Sequence, residues 1–226
     1  MPVNTAKYKS IINELADKQA ILVAVSKTKP VEDIFELYNL GHRDFGENYV
    51  QELVDKSVIL PADIRWHFIG HLQSNKVKYI APFVHLIHGV DSFKLLKEIS
   101  KQGEKAGRRI DCLLQVHIAQ EESKFGFNEE ELILAMDQVN SLNMTHVRIC
   151  GLMGMASFTT DMNVVRTEFK QLKKIFEDTR TRLPVSQHPM EILSMGMSSD
   201  YKIALDEGTT MVRIGSLLFG EREKNG

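Results

Sequence analysis

Short apolar segments alternate with helix-like segments along most of this sequence. Residues 21–26 form an apolar segment rich in β-branched side chains, and behind Pro30 the apolar residues Val31, Ile34 and Phe35 follow helical spacing. The alternation gives eight strand candidates, at residues 21–26, 43–47, 65–69, 84–89, 112–118, 147–153, 191–195 and 210–214. Seven are followed by a helical pattern, and the eighth by a short segment in which another helix could begin.

This order of elements predicts the fold class. Strands that alternate with helices form right-handed parallel units, and eight units in about 200 residues predict an α/β protein with a closed (β/α)8 TIM barrel. A doubly wound open sheet is the alternative. Before the first strand, Tyr8, Ile11, Ile12 and Leu15 share one stripe and predict an extra N-terminal helix against the barrel. We expect residues 1–226 to form a single barrel domain.

Composition and charge narrow the function classes. The 226 residues are 43% hydrophobic and 26% charged, with a formal net charge of -2. Because this balance gives no broad basic field, we expect no nucleic-acid or membrane partner. No window approaches the roughly 18 apolar residues of a spanning helix and no targeting segment is evident, so the expected location is cytoplasmic. Cys112 and Cys150 lie in apolar segments, which predicts buried reduced thiols.

Lys27 is the first candidate functional residue. Reactive groups of such barrels lie at the C-terminal ends of the strands. Side chains alternate along a strand, so Val23, Val25 and Lys27 share one face, and Lys27 is the first polar residue on it. Apolar walls favour the neutral amine, which attacks carbonyl groups. The alternative is a solvated lysine at the rim, and Lys29, next to Pro30, is predicted to lie at the surface.

Two loops near the C-terminal end of the sequence are typical of a phosphate site. Residues 194–200 (SMGMSSD) follow the seventh strand, and residues 213–216 (RIGS) close the eighth. Small and hydroxyl residues at helix N-termini leave backbone N–H groups for an anion, and barrels bind phosphate at these two loops. The alternative is structural: Ser198 or Ser199 caps a helix, and Gly215 turns the chain.

Arg213 lies two residues before Gly215, on the same face of its strand. A guanidinium that points into the barrel needs an acceptor, and a buried ion pair with Asp or Glu is the structural alternative. A lysine amine, a phosphate loop and an inward arginine in one mouth fit pyridoxal 5'-phosphate. Its aldehyde would meet Lys27, its phosphate the last two loops, and its ring nitrogen Arg213.

Five motifs resemble a known family over nearly the whole sequence. They are VAVSKTKP at 23–30, FGENYVQE at 45–52, WHFIGHLQSNK at 66–76, SMGMSSD at 194–200 and RIGSLLFG at 213–220. The sequence is identified by them as a member of the YggS/PROSC family of pyridoxal phosphate homeostasis proteins. The resemblance implies a barrel like the N-terminal domain of alanine racemase, a fold type III protein. It also implies that Lys27 forms the internal aldimine, that Arg213 faces the ring nitrogen, and that Asn48 lies beside the cofactor. The implied phosphate contacts come from Ser198, Ser199, Gly215 and Ser216.

The residues favour a carrier of pyridoxal phosphate over an enzyme. Racemisation needs a second base opposite Lys27. In the racemases resembled here that base comes from a separate C-terminal domain, which we expect to be missing, since the sequence ends soon after Arg213. Arginine at the ring nitrogen also weakens the ring as an electron sink. The expected role is that of a non-catalytic, monomeric buffer that supplies apo-enzymes. The enzymatic alternative is a pyridoxal-dependent amino-acid racemase.

Three further readings are weaker. A Schiff-base aldolase acting on a phosphorylated sugar would explain Lys27 and the phosphate loop, but not Arg213. His67 with His71 and His85 with His88 have metal-like spacings, but mostly lie in strand patterns, so no metal site is expected. A group of four methionines at the ends of strands six and seven either lines the cofactor ring or fills the core. These are Met153, Met155, Met195 and Met197.

Overall fold

The computed structural model describes residues 3–121, 125–184 and 187–220, and its strands close into a parallel barrel. The strands pair in chain order, and β8 pairs with β1, so that Arg213 lies beside Val23. They are β1 (Ile21–Val25), β2 (Asp44–Glu47), β3 (Arg65–Phe68), β4 (Leu86–Val90), β5 (Ile110–Gln115), β6 (Val147–Met153), β7 (Ile192–Ser194) and β8 (Met211–Ile214). The (β/α)8 prediction is confirmed, and the open-sheet alternative is wrong.

Helices cover the outside of the barrel. They are α1 (Thr5–Ala16), α2 (Val31–Asn39), α3 (Val50–Ile59), α4 (Val77–Ile80), α5 (Phe93–Lys105), α6 (Glu129–Ser141), α7 (Met162–Thr179), α8 (Tyr201–Asp206) and α9 (Ser216–Phe219), with a 3-10 turn at Ser74–Lys76 before α4. Throughout the described ranges, every helix is too short or too polar to cross a bilayer. Cys112 and Cys150 are buried free thiols, as predicted.

The predicted N-terminal helix packs against the barrel. Asn4 caps α1 through its side chain, which accepts from the Lys7 backbone N–H at 2.9 Å. Tyr8, Ile11 and Leu15 are buried on its inner stripe. Because the Asn4 backbone N–H donates to the carbonyl of Leu218 at 2.8 Å, α1 lies against α9 and supports the loop that follows β8.

The strands direct apolar side chains to both faces of the sheet. Most of them therefore appear in the sequence as continuous apolar segments. Outward residues join the large core between the sheet and the helices. Inward residues form a smaller cluster in the barrel lumen, made of Val23, Leu86, Leu113, Cys150, Met153 and Met211. The lumen therefore is a packed core whose remaining inward positions are polar.

The loop after β1 is held from behind by a rear cluster of Glu47, Glu52 and Lys56, in which Glu47 and Lys56 are buried. The Lys56 ammonium lies 2.8 Å from Glu47 Oε1 and 2.7 Å from Glu52 Oε1, and it donates to the Ser26 carbonyl at 2.8 Å. The Ser26 hydroxyl donates to Glu47 Oε1 at 2.6 Å. Burial raises the pKa of Glu47, although Lys56 and Ser26 oppose the shift.

The rear cluster also fixes an uncommon backbone conformation next to Lys27. Thr28 has φ of 62°, in the left-handed region that β-branched residues rarely adopt. Its N–H donates to Glu52 Oε1 at 2.6 Å, which stabilises this conformation. The path of the loop that carries Lys27 therefore depends on carboxylates from β2 and α3.

Replacing Lys56 with methionine tests the rear cluster. We expect Lys56→Met to lower the free energy of unfolding by about 3 kcal/mol at neutral pH, because it leaves a buried carboxyl without its cation. Glu47 would then be protonated in the folded protein while the unfolded chain ionises above its ordinary pKa of 4.5, so the deficit grows as pH rises through that value. Urea titrations at several pH values measure both effects.

The matched control is Lys101→Met, at an exposed position on α5. It should change the free energy of unfolding by less than about 0.5 kcal/mol at every pH. Equal effects of the two substitutions, or a Lys56→Met deficit independent of pH, would contradict the structural role of the rear cluster.

Candidate functional site

A cavity of about 620 Å³ opens at the C-terminal ends of the strands. All seven residues predicted for the cofactor site line it, which are Lys27, Asn48, Ser198, Ser199, Arg213, Gly215 and Ser216. They come from loops after β1, β2, β7 and β8 and from β8 itself. Strands at the two ends of the sequence meet here because β1 pairs with β8.

Lys27 and Lys29 both line the cavity. The alternation of β1 carries on past its end, so that Val25 and Lys27 lie on the cavity side. Lys29 was predicted to lie at the surface; it is partly exposed there and also lines the cavity. Its Nζ donates to the carbonyl of Phe219 at 2.8 Å, because the turn at Thr28 directs it toward the end of α9. Lys29 thus ties the loop after β1 to the loop after β8.

Arg213 is buried in the barrel wall below the cavity, with only 4% of its surface exposed. One terminal nitrogen donates to the Ser194 hydroxyl at 2.6 Å, and the other to the Gly154 carbonyl at 3.1 Å. Among the described residues no carboxylate lies within 4.0 Å of it, so the ion-pair alternative is wrong. Burial lowers the pKa of Arg213 to about 10, with Asp200 opposing the shift, and the group stays cationic at neutral pH.

The loops after β7 and β8 contact each other at the cavity wall. The Ser198 hydroxyl accepts from the Gly215 N–H at 3.2 Å, so Ser198 links the two loops and does not cap α8. Ser199 and Ser216 are exposed toward solvent. A Cβ at Gly215 would lie 3.2 Å from the Val25 carbonyl oxygen, tighter than an ordinary contact. The glycine therefore permits the loop after β8 to approach β1.

The SMGMSSD loop has its own constraints. Gly196 has φ of 93°, which favours glycine, and a Cβ there would lie 2.6 Å from the Cβ of Ala204 on α8. Asp200 accepts from the Met197 N–H at 2.6 Å, and burial raises the pKa of its carboxyl. The loop is thereby folded into a tight turn with Ser198 and Ser199 at its outer side.

Asn48 supplies an unpaired polar atom at the site. It follows β2, directly after Glu47 of the rear cluster. Its Oδ1 is buried without a hydrogen-bond partner. Because buried polar atoms nearly always have a partner, this oxygen indicates that a donor from a ligand or ordered water belongs beside it.

Apolar side chains line the remaining walls, and sequence reasoning missed several of them. Ile69, Phe158 and Leu217 line the cavity, from the loops after β3 and β6 and from α9. Of the four methionines considered, Met155 and Met197 line the cavity, whereas Met153 and Met195 are buried in the core. Core filling is thus observed for Met153 and Met195, and contact of Met155 and Met197 with a cofactor ring stays a prediction.

None of the four histidines with metal-like spacing lines this cavity. Side-chain donor atoms of Asp44, His67 and His85 lie within 4.8 Å of one another. Arg65 donates to both carboxylate oxygens of Asp44 and so satisfies it with a cation already. That no metal site exists stays a prediction.

Comparison with known proteins identifies relatives along the whole barrel. The family model for the alanine racemase N-terminal domain matches residues 5–223. Proteins called pyridoxal phosphate homeostasis protein match at 38% identity in Pasteurella multocida, covering 89% of this chain and 86% of the relative. The human one matches at 37% identity and covers 98% of this chain and 84% of the relative.

Solved structures agree with these relatives. PipY of Synechococcus elongatus, solved without PLP, has a TM-score of 0.89 at 33% identity, covering 95% of this chain and 99% of PipY. The same protein solved with PLP bound has a TM-score of 0.85. Alanine racemase of Streptomyces coelicolor, at 16% identity and a TM-score of 0.70, shares the fold, with 96% of this chain and 58% of the racemase covered. The chain belongs to the alanine racemase N-terminal domain family and, within it, to the family of the pyridoxal phosphate homeostasis proteins.

Proposed function

We propose that this protein binds pyridoxal 5'-phosphate through Lys27 and acts as a carrier in intracellular pyridoxal phosphate homeostasis. One observation carries the proposal: a lysine side chain, a buried guanidinium without a carboxylate partner among the described residues, and two hydroxyl-bearing loops line one cavity. The relatives named above support it, as does the structure of PipY with PLP bound.

The residues present fit the parts of this cofactor. Lys27 has the primary amine that an aldehyde requires, and Ile69 and Met155 offer apolar surface to an aromatic ring. Arg213 is a permanent donor, which suits a ring nitrogen that accepts. The unpaired buried Oδ1 of Asn48 leaves room for one more polar contact.

The phosphate would lie between the loops after β7 and β8. Ser198, Ser199 and Ser216 bring hydroxyl groups, and Gly215 brings an approachable backbone. These groups bind an anion without burying a second fixed positive charge, so the anion remains exchangeable. When bound, the cofactor supplies an aldehyde that condenses with amines. This chain's residues orient that aldehyde toward Lys27 and hold its anionic end.

The cavity favours binding over catalysis. Among its described lining residues, the only groups that could serve as bases are the two lysines, with no His, Tyr, Cys or carboxylate. Lys29 is directed at the Phe219 carbonyl, so a second base facing Lys27 is missing from this set. Arg213 keeps a cation at the ring nitrogen, which disfavours its protonation and weakens carbanion stabilisation. We therefore propose a non-enzymatic role.

We also propose a cellular setting for this function. The cofactor would be passed to apo-enzymes that depend on it, from a monomeric, single-domain protein in the cytoplasm. The mouth of the cavity faces outward at the loops after the strands, which suits release of the cofactor.

Exchanging each cavity lysine for arginine tests the attachment point. Lys27→Arg keeps the charge but removes the primary amine, so we expect loss of covalent attachment, measured by borohydride reduction followed by peptide mass spectrometry. The matched variant Lys29→Arg should retain attachment, because arginine still donates to the Phe219 carbonyl. Reduced cofactor found on residue 29, or retained in Lys27→Arg, would contradict the assignment.

A charge at residue 199 tests the phosphate position. Ser199→Asp should weaken cofactor binding by at least about tenfold through like-charge repulsion of the phosphate. Ser199→Asn has nearly the same shape without the charge and should bind within about threefold of the native protein. Equilibrium titration with pyridoxal phosphate measures both, and equal affinities would place the anion elsewhere.

The carrier and racemase alternatives are separated by turnover. Incubating the cofactor-loaded protein with L- and D-amino acids should give racemisation and transamination no faster than free pyridoxal phosphate at equal concentration. Chiral chromatography follows the products. Turnover well above that of the free cofactor would establish an enzyme.

A further inference from the structure

A line of hydrogen bonds runs through the barrel lumen from the cavity toward its opposite end. We call it the lumenal network, made of Arg213, Ser194, His88, His67 and Asp44. Arg213 Nη1 lies 2.6 Å from Ser194 Oγ, which lies 3.4 Å from His88 Nδ1. His88 Nε2 lies 2.9 Å from His67 Nδ1, and His67 Nε2 lies 3.1 Å from Asp44 Oδ1.

The five members are contributed by different strands of the barrel. Asp44 lies on β2, His67 on β3, His88 on β4, Ser194 on β7 and Arg213 on β8. All five are buried. Water therefore does not replace these contacts, and each donor needs its acceptor inside the lumen.

The two ends of the lumenal network fix its direction. Asp44 is a carboxylate: burial raises its pKa, but the hydrogen bonds from His67 and Arg65 outweigh this and hold the pKa well below its ordinary value. As an acceptor only, Asp44 requires the proton of His67 to be on Nε2. At the other end, Arg213 can only donate, so the Ser194 oxygen accepts from it.

The intermediate protons follow when the His67 ring is neutral. Its Nδ1 is then an acceptor, so His88 must donate from Nε2. His88 Nδ1 is then an acceptor, and the Ser194 hydroxyl donates to it. Burial lowers the pKa of His88 well below its ordinary value, which agrees with a neutral His88 ring. Every link has one donor and one acceptor.

This direction has a consequence for the cavity. A hydroxyl whose proton points at His88 presents its lone pairs to Arg213, and the guanidinium is held by Ser194 and Gly154. If His88 carried its proton on Nδ1 instead, the Ser194 oxygen would accept from both His88 and Arg213, and its own proton would have no partner in the lumenal network. The orientation of Arg213 therefore depends on tautomers set by a carboxylate on the far side of the lumen.

We propose that Ser194, His88 and His67 are positioning residues for Arg213, fixed as a one-directional hydrogen-bond network that ends on Asp44. For its effect on cofactor binding the proposal rests on the function proposed above. The network itself is a property of the cofactor-free protein. None of the three residues lines the cavity, so their effect would reach a ligand only through Arg213.

Nitrogen-15 NMR of the histidine rings tests the network without any cofactor. In the cofactor-free protein, His67 and His88 should both appear as neutral rings with the proton on Nε2. A protonated His67, or an Nδ1 proton on either ring, would overturn the proposal. This outcome does not depend on whether pyridoxal phosphate is the ligand.

Two variants and a control test the link to Arg213. His67→Phe keeps an aromatic ring but removes the acceptor of His88, so the His88 signals should shift away from a single Nε2 tautomer. Ser194→Ala removes the link next to Arg213 with little change in volume, and should leave His88 on Nε2. His85→Phe is the control, because the His85 ring packs 5.3 Å from that of His67 and is exposed, outside the lumenal network.

Cofactor titrations complete the test. We expect the dissociation constant for pyridoxal phosphate to rise by about tenfold in Ser194→Ala and in His67→Phe, the size expected for one hydrogen bond to a charged group. The absorbance maximum of the bound cofactor should shift in both, since the donor at its ring nitrogen moves. His85→Phe should change neither. Unchanged affinity and absorbance in Ser194→Ala, which needs little repacking, would overturn the positioning role.

Discussion

Arg213 places a guanidinium inside the barrel where, among the described residues, no carboxylate lies within ion-pair distance. A cation so placed is costly unless its donors are satisfied. Here a hydroxyl and a carbonyl oxygen accept from it, and beyond the hydroxyl two histidine rings continue the hydrogen bonds to Asp44. The lumen is polar along this line and apolar beside it, which explains how a buried charge is tolerated in a packed barrel.

The closed topology brings this cation to a lysine from the other end of the sequence. β1 and β8 are hydrogen-bonded neighbours, so the cavity is assembled from the first and last strands. The lysine loop is held by the rear cluster of Glu47, Glu52 and Lys56, and by the contact of Lys29 with the Phe219 carbonyl. Fixed loops around a fixed cation reduce the ordering cost of binding a ligand with an aldehyde at one end and an anion at the other.

The fold, Lys27 and the two C-terminal loops followed from local patterns, Asn48 came only from the family resemblance, and the supporting contacts were not predicted. Alternating strands and helices predicted the barrel because a β-branched segment such as 21–25 and an amphipathic helix such as α7 have different periods. Lys27 and Gly215 were found because barrel chemistry lies at strand ends. By contrast, Ser194 and His88 are 106 residues apart in the sequence. Lys56 is buried, although a lysine in a helical pattern is normally expected at the surface. Such contacts depend on which strands face each other across the lumen. The periodicity of a local sequence segment carries no information about that arrangement.

The central claim is that the Lys27 amine and the Arg213 guanidinium act on one ligand whose anionic end lies between the loops after β7 and β8. A crystal structure of the protein grown with pyridoxal phosphate tests this most directly. The account predicts electron density continuous with Lys27 Nζ, the phosphate between residues 198–199 and 215–216, and the ring nitrogen at hydrogen-bond distance from Arg213. Density attached to Lys29, or a phosphate bound away from those two loops, would contradict it.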